Sequence, residues 1–284
     1  MIEFLLIGYA LWLLAIFVLQ RSILFPRSLA NNRFTPPPAA VEVWREPRPD
    51  GIDATAWFLA ARDASGAAEI PRAAVVLVHG NAMIAGDWLD WAEELSSRGA
   101  HVLLPEYRGY GDAKGSPSRD ALVGDLQALL TRLRDDPRVA GEAIVVYGRS
   151  IGGTIAAEAT AALAAPPSHL ILHTAPARIR DFSWRVGAPP FLVRDPFDAI
   201  VALESLRGRT TITILGHDRD EVVPPRDAER LAAAAGVEAA IFRGSHNAFR
   251  DRRDQLAFEE LVRTAVDDAI ARAKKADDAT PSNP

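Results

Sequence analysis

Apolar residues along this chain fall into short continuous runs that end at polar, glycine-marked turns, with longer stretches of helical period between them. Residues 73–78, 101–105, 144–147, 170–172 and 239–242 are such runs, mostly of aliphatic residues, as strands covered on both faces of a parallel sheet must be, and the threonine- and isoleucine-rich 210–215 reads as another strand. Leucines at 122, 126, 129 and 133 mark one face of an amphipathic helix over 119–134. An alanine-rich stretch at 154–163, a segment with Trp88, Trp91 and Leu95, and residues 251–274 predict further helices. Strand and helix thus alternate, which predicts an α/β fold with a mostly parallel sheet. Ahead of it, 41–44 and 54–60 alternate around Pro49-Asp50-Gly51, the pattern of a hairpin at the sheet's edge.

The ends of the chain differ from this middle. Residues 4–19 form an apolar run broken by Gly8, spanning roughly 24 Å as a helix; Arg21 can snorkel and 23–25 can extend it. The run predicts a transmembrane anchor over 1–25, the competing reading being an apolar helix docked on the domain. Glu3 stands where a secretory signal would carry basic residues, which argues against a cleaved leader. Arg21, Arg27 and Arg33 follow the run, so the positive-inside rule puts the domain on the cytoplasmic face of a membrane. Residues 26–40, with Thr-Pro-Pro-Pro, read as a stiff linker, 41–274 as one domain, and 275–284 as a polar disordered tail. Residues 177–206 carry Phe182, Trp184, Phe191 and Phe197 without regular period and are expected to form a short cap over a site, the competing reading being simple surface packing.

At 284 residues and 49% hydrophobic content, the chain has enough material for one large core. A net charge of -5 without a concentrated basic surface argues against nucleic acid as a partner. With no cysteine, disulfides, thiolate metal sites and a cysteine nucleophile are excluded.

The run at 144–147 ends in Gly148-Arg149-Ser150-Ile151-Gly152, which fits G-x-S-x-G: small flanking residues let the backbone turn tightly enough to present a serine hydroxyl. The bland alternative is that Ser150 merely caps a helix. The run at 73–78 ends in His79-Gly80-Asn81-Ala82. A developing oxyanion needs two converging backbone N–H groups; Ile151 would supply one and Asn81, or Ala82 if the loop is rotated, the other, with His79 structural. After 210–215 come Asp218 and Asp220, which compete as the acid of a triad, and Gly244-Ser245-His246 follows with the base. The order Ser, Asp, His is the one an α/β-hydrolase requires. His169 and His173 are spaced as two same-face strand residues, but no carboxylate or third histidine lies near them in sequence, so no metal is expected. The glycine-rich 106–111 lacks Gly-Lys-Ser/Thr and reads as a loop rather than a phosphate cradle.

Taken together these residues resemble the α/β-hydrolase superfamily, and within it the BEM46- and ABHD13-like membrane-anchored serine hydrolases with a serine-aminopeptidase-like domain. The carriers are Arg21 to Pro26, His79-Gly80-Asn81-Ala82, Tyr107-Arg108-Gly109-Tyr110-Gly111, the Ser150 motif, Asp220-Glu221-Val222-Val223-Pro224 and Gly244-Ser245-His246. The resemblance implies an α/β-hydrolase fold with about eight strands flanked by helices. It also implies Asp220 rather than Asp218 as the acid, because the family's acid lies in an Asp-x-x-Val-Pro setting. Glu106 departs from the Asp that usually precedes Tyr-Arg-Gly, and Asp112-Ala113-Lys114 departs from the usual turn. The function expected is hydrolysis of carboxylic esters, with lipid esters or thioesters suggested by the anchor, through an acyl-enzyme on Ser150, His246 and Asp220, without a cofactor. Two rivals remain open: a hydrolase of short peptides or aminoacyl groups, and a catalytically silent membrane-tethered binding protein on the same fold.

Overall fold

In the computed structural model, which describes residues 1–62 and 72–279, the short apolar runs become strands of one eight-stranded sheet. Helix α1 (Ile2–Leu24) and the short α2 (Arg27–Asn31) come first, then the antiparallel hairpin of β1 (Glu42–Glu46) and β2 (Ala54–Leu59) at the sheet's edge. The alternating body follows: β3 (Ala74–Val78), α3 (Leu89–Ser97), β4 (His101–Glu106), α4 (Arg119–Asp135), β5 (Ile144–Arg149), α5 (Ile151–Ala161) and β6 (His169–His173). It continues with α6 (Ala199–Leu206), β7 (Thr211–His217), α7 (Pro225–Ala235) and β8 (Ala239–Phe242), and ends in a two-residue ladder of β9 (Gly244–Ser245) with β10 (Ala248–Phe249) before α8 (Arg252–Ala279).

The spatial order is β1-β2-β4-β3-β5-β6-β7-β8, with β2 antiparallel to both its neighbours and every later pairing parallel. The chain leaves β3 for β4 on one side and returns to β5 on the other, so the carboxyl ends of β3 and β5 form a topological switch point, where such sheets open a crevice. Every residue of β3 is buried, because helices cover both faces. Val76 and Val78 pack with Leu126, Leu129, Ile155 and Leu203 on one side. Val75 and Leu77 pack with Leu95, Val262 and Val266 on the other, the period of two expected of a strand.

Three segments differ from the sequence-based expectation. The segment read as a linker is fastened to the domain: Ala30 is buried, and the Asn31 side chain donates to the Gly109 carbonyl at 3.0 Å and accepts from the Gly111 N–H at 2.9 Å. Residues 199–206, expected within the cap, form α6, whose Ala202, Leu203 and Leu206 pack in the helical layer beside α5 and α7. The cap proper is closed at its base by an antiparallel bridge between Arg178 and Asp198. The last helix runs to Ala279, past the boundary at 274 read from the sequence; the rest of the expected tail, 280–284, lies outside the described residues.

The Tyr-Arg-Gly-Tyr-Gly motif has a structural reason. Arg108, buried, forks onto both oxygens of Asp125 on α4 at 2.7 and 2.8 Å and also pairs with Asp50 at the hairpin tip, joining three segments. Asp125 is buried as well, whereas the Asp50 carboxylate is half exposed. Replacing Asp125 by Ala leaves a buried guanidinium short of its main partner, and a loss of about 3 kcal/mol is expected in urea-unfolding midpoints, the low end for removing one side of a buried pair. Asp50→Ala is expected to cost much less, since its charge is largely solvated.

Candidate active site

The buried run of β5 stops at Gly148, and the backbone turns at Ser150 with φ 52° and ψ −128° before α5 begins. A non-glycine residue adopts that left-handed region only when its surroundings impose it. The surroundings here are backbone in contact with backbone. A Cβ on Gly148 would lie 2.6 Å from the Gly152 carbonyl oxygen, and one on Gly152 would lie 2.3 Å from the His79 carbonyl oxygen. Helix α5 therefore sits directly on the ends of β3 and β5, and the Ser150 N–H donates to the His173 carbonyl at 2.9 Å, tying the turn to β6.

The turn lifts the Ser150 hydroxyl to 3.1 Å from His246 Nε2, and His246 Nδ1 lies 2.7 Å from Asp220 Oδ2. The other oxygen of Asp220 accepts the N–H groups of Val222 and Val223 at 2.9 and 2.6 Å, so the carboxylate is held from behind and aimed at the imidazole. A carboxylate accepting from Nδ1–H leaves Nε2 as the acceptor facing the hydroxyl, the tautomer a general base needs. Ser150, Asp220 and His246, picked out from three separate loops, are thus adjacent. Asp218 is elsewhere employed, accepting from the Gly244 N–H at 2.9 Å and steadying the ladder that carries His246.

Ser150 opens into a cavity of about 330 Å³ whose wall also includes Asn81 and Ile151. Among the described residues neither the Asn81 nor the Ile151 backbone N–H has an acceptor, so both remain available beside the hydroxyl. The remaining wall is mainly apolar, with Ile179, Phe182 and Leu192 from the cap and Ile16, Ile23 and Leu24 from α1.

A family profile described as serine aminopeptidase, S33, matches residues 69–194, a span that holds Asn81 and Ser150 and stops short of Asp220 and His246. The chain is 31% identical over 153 residues to alpha/beta hydrolase domain-containing protein WAV2 of Arabidopsis thaliana, covering 48% of this chain and 49% of that one. It is 32% identical over 163 residues to protein bem46 of Schizosaccharomyces pombe, covering 54% and 53%. An esterase of Pyrococcus furiosus superposes with a TM-score of 0.61 over 88% of this chain and 93% of its own, at 17% identity, a likeness of fold. In fold and in these matched stretches the chain is similar to α/β-hydrolases of the BEM46 type. It spans about half the length of the curated relatives it matches.

The candidate site is held by residues that sequence reasoning passed over. Arg149, the variable position inside the serine motif, donates to the His246 carbonyl at 3.2 Å and to Asn247 Oδ1 at 3.0 Å. Beneath that loop runs a buried relay: Tyr147 hydroxyl to His173 Nδ1 at 2.6 Å, His173 Nε2 to His217 Nε2 at 3.2 Å, and His217 Nδ1 to the Ser245 carbonyl in a short bond. The available signal was that His173 and His217 each end an otherwise apolar strand. Burial, with His217 and Arg149 adding to it, pushes His173 well below its ordinary value of 6.5, and burial lowers His217 too. His169 meets Thr213 at 2.8 Å instead, and lies four strand residues, roughly 13 Å, from His173, too far to share a ligand with it.

His79 keeps the structural role read from sequence. Its Nε2 is 3.1 Å from Glu106 Oε1, its ring lies 3.9 Å from that of Tyr107, and the second Glu106 oxygen accepts the Ala85 N–H at 3.1 Å. The hydroxyl of Tyr110 donates to the Asn81 carbonyl at 2.6 Å, so the loop beside Ser150 is fixed from two sides.

Two outcomes follow from this packing. Gly152→Ala forces a methyl into the β3 backbone and is expected to cost about 1–3 kcal/mol in thermal unfolding, as overpacking does. Above pH 6.5 His173 is neutral whether folded or unfolded; below it, the unfolded chain takes up a proton that the folded one refuses. Stability is therefore expected to fall as pH drops from 6.5, by up to about 1.4 kcal/mol per pH unit from this group, and His173→Gln should flatten the slope in urea titrations at stepped pH.

Proposed function

We propose that this hydrolase cleaves carboxylic esters with an apolar acyl group through a covalent acyl-enzyme on Ser150. In this reading His246 Nε2 takes the serine proton as Oγ attacks the ester carbonyl, and Asp220 holds the imidazole and stabilises its cation. The Asn81 and Ile151 N–H groups receive the tetrahedral oxyanion. His246 then returns its proton to the departing alkoxide, and water repeats the sequence to release the acid. The observation that carries the reading is the 3.1 and 2.7 Å chain from hydroxyl to imidazole to carboxylate, opening into a mainly apolar cavity.

An ester is favoured over an aminoacyl substrate by what that cavity offers. Among the described residues Asp195 is the one carboxylate in its wall, and it is already bonded by Arg21 at 2.7 and 3.0 Å and by the Arg119 N–H at 2.8 Å. Among the described residues the wall of this cavity thus offers no free anionic group to hold an amino terminus. Helix α1, long and apolar enough to cross a membrane, supports a membrane location, with the domain on the cytoplasmic side if the arginines that follow it govern orientation.

The test is labelling with a fluorophosphonate probe, followed by p-nitrophenyl esters against aminoacyl p-nitroanilides. Ser150→Ala is expected to abolish labelling, and Ser150→Ala or His246→Ala to lower kcat by several orders of magnitude; Asp220→Asn, which gives the wrong tautomer, should cost about 10⁴-fold. Labelling that persists in Ser150→Ala would overturn the reading, and faster turnover of anilides than esters would move it to the peptidase class.

A further inference from the structure

Helix α1 does not stand clear of the domain. Its Tyr9 hydroxyl donates to the Gly187 carbonyl and Trp12 Nε1 to the Val186 carbonyl, both at 2.8 Å. The Gln20 amide bridges the cap with both ends, donating to the Leu192 carbonyl at 3.0 Å and accepting the Arg194 N–H at 2.7 Å. From Tyr9 to Leu24 the helix rises roughly 22 Å, so most of its length runs beside the cap and about 10 Å, residues 2–8, reaches beyond it. A bilayer that takes in the exposed apolar side chains of α1 must therefore meet the cap as well.

The cap is built for that meeting. Trp184 and Phe191 are 65% and 82% exposed, large apolar groups on the same segment. Arg185 lies over the Phe182 ring at 4.5 Å and Arg194 over Phe17 at 5.4 Å, cations on aromatic supports that suit a headgroup layer. Irregular backbone is tolerated at membrane depth where its carbonyls find partners, and the cap carbonyls at 186, 187 and 192 find theirs on α1. Between the two surfaces lies the cavity that ends at Ser150, with Ile16, Ile23 and Leu24 on the α1 side and Ile179, Phe182 and Leu192 opposite.

We propose that α1 is one wall of the acyl site: the acyl chain of a membrane-resident lipid ester enters from the bilayer between α1 and the cap and packs on Ile16, Ile23 and Leu24. The placement of its ester carbonyl at Ser150 rests on the hydrolase reading above; the acyl-binding wall is tested apart from it. Ile16 and Ile23 are then specificity-determining residues, and chain length is set by the helix as much as by the cap.

Full-length protein carrying Ser150→Ala in phosphatidylcholine nanodiscs is titrated with tritiated palmitate, the acid such an ester would leave, by scintillation proximity with excess unlabelled palmitate as competitor. Displaceable binding is expected, weakened about tenfold by Ile23→Trp, which fills the wall, and unchanged by Leu11→Trp, whose side chain is not part of that wall. Ile16→Ala crowds nothing and should shift preference from palmitate toward stearate. Absence of displaceable binding, or binding indifferent to both Ile16 and Ile23, overturns the proposal. Turnover is read separately with Ser150 intact, where kcat/KM should rise from p-nitrophenyl butyrate to laurate and the rise should vanish in Ile23→Trp. Displaceable palmitate binding with no Ser150-dependent turnover would sustain the acyl wall and remove the hydrolase reading alone.

Discussion

A serine held at φ 52° between two glycines is the constraint on which the rest of the site depends. No side chain could fit where Gly148 and Gly152 bring β5, α5 and the end of β3 into backbone contact, so the turn has one place to go. Local strain of this kind, on the order of 1–3 kcal/mol, persists only where packing over-determines it, and here β3 is buried throughout and β6 from Leu170 onward. The rigid sheet thus sets the position of the hydroxyl, and the loops that bring His246 and Asp220 have to come to it.

Those loops are steadied by polar groups in addition to the packing of Phe249 on His217 and Phe258. Asp220 is held by two N–H groups, Asp218 by one on the neighbouring ladder, and the His246 backbone by Arg149 and by Glu221, which accepts its N–H at 3.2 Å. The Tyr147, His173 and His217 relay sits below them. A buried polar chain of this sort is costly unless each member is satisfied, and satisfied it fixes geometry more sharply than interchangeable aliphatic contacts can. The same logic explains Glu106: the longer acid reaches both His79 and the Ala85 N–H, fastening the Asn81 loop across the top of the sheet.

Legibility in the sequence followed the range of the interaction that carried each feature. Strand and helix were readable at β3, β5 and α4 because burial on one or two faces imprints a period on consecutive residues. Ser150 and His246 stood out because each sits in a short motif at the end of such an element, whereas Asp218 and Asp220 competed until the resemblance favoured Asp220. What escaped was settled by contacts between remote segments, which leave no local period. Asn31 reaching the Gly109 loop turned a proline-rich stretch into packed structure. Arg149 looked like an arbitrary position in its motif, and α6 was hidden in the cap because its eight residues are too few to show an amphipathic repeat. The docking of α1 was readable only as an alternative, since a helix with no buried residue and a helix free in lipid share one composition.

The bridge between Arg178 and Asp198 brings the two ends of the cap together before the chain re-enters the helical layer at α6. An insertion already closed at its neck transmits little of its own length or shape to β6 and α6. Sequence drift within it can redraw the contour above Ser150 while the serine stays in register, so the mouth of the cavity can change without renegotiating how the turn beneath it is held.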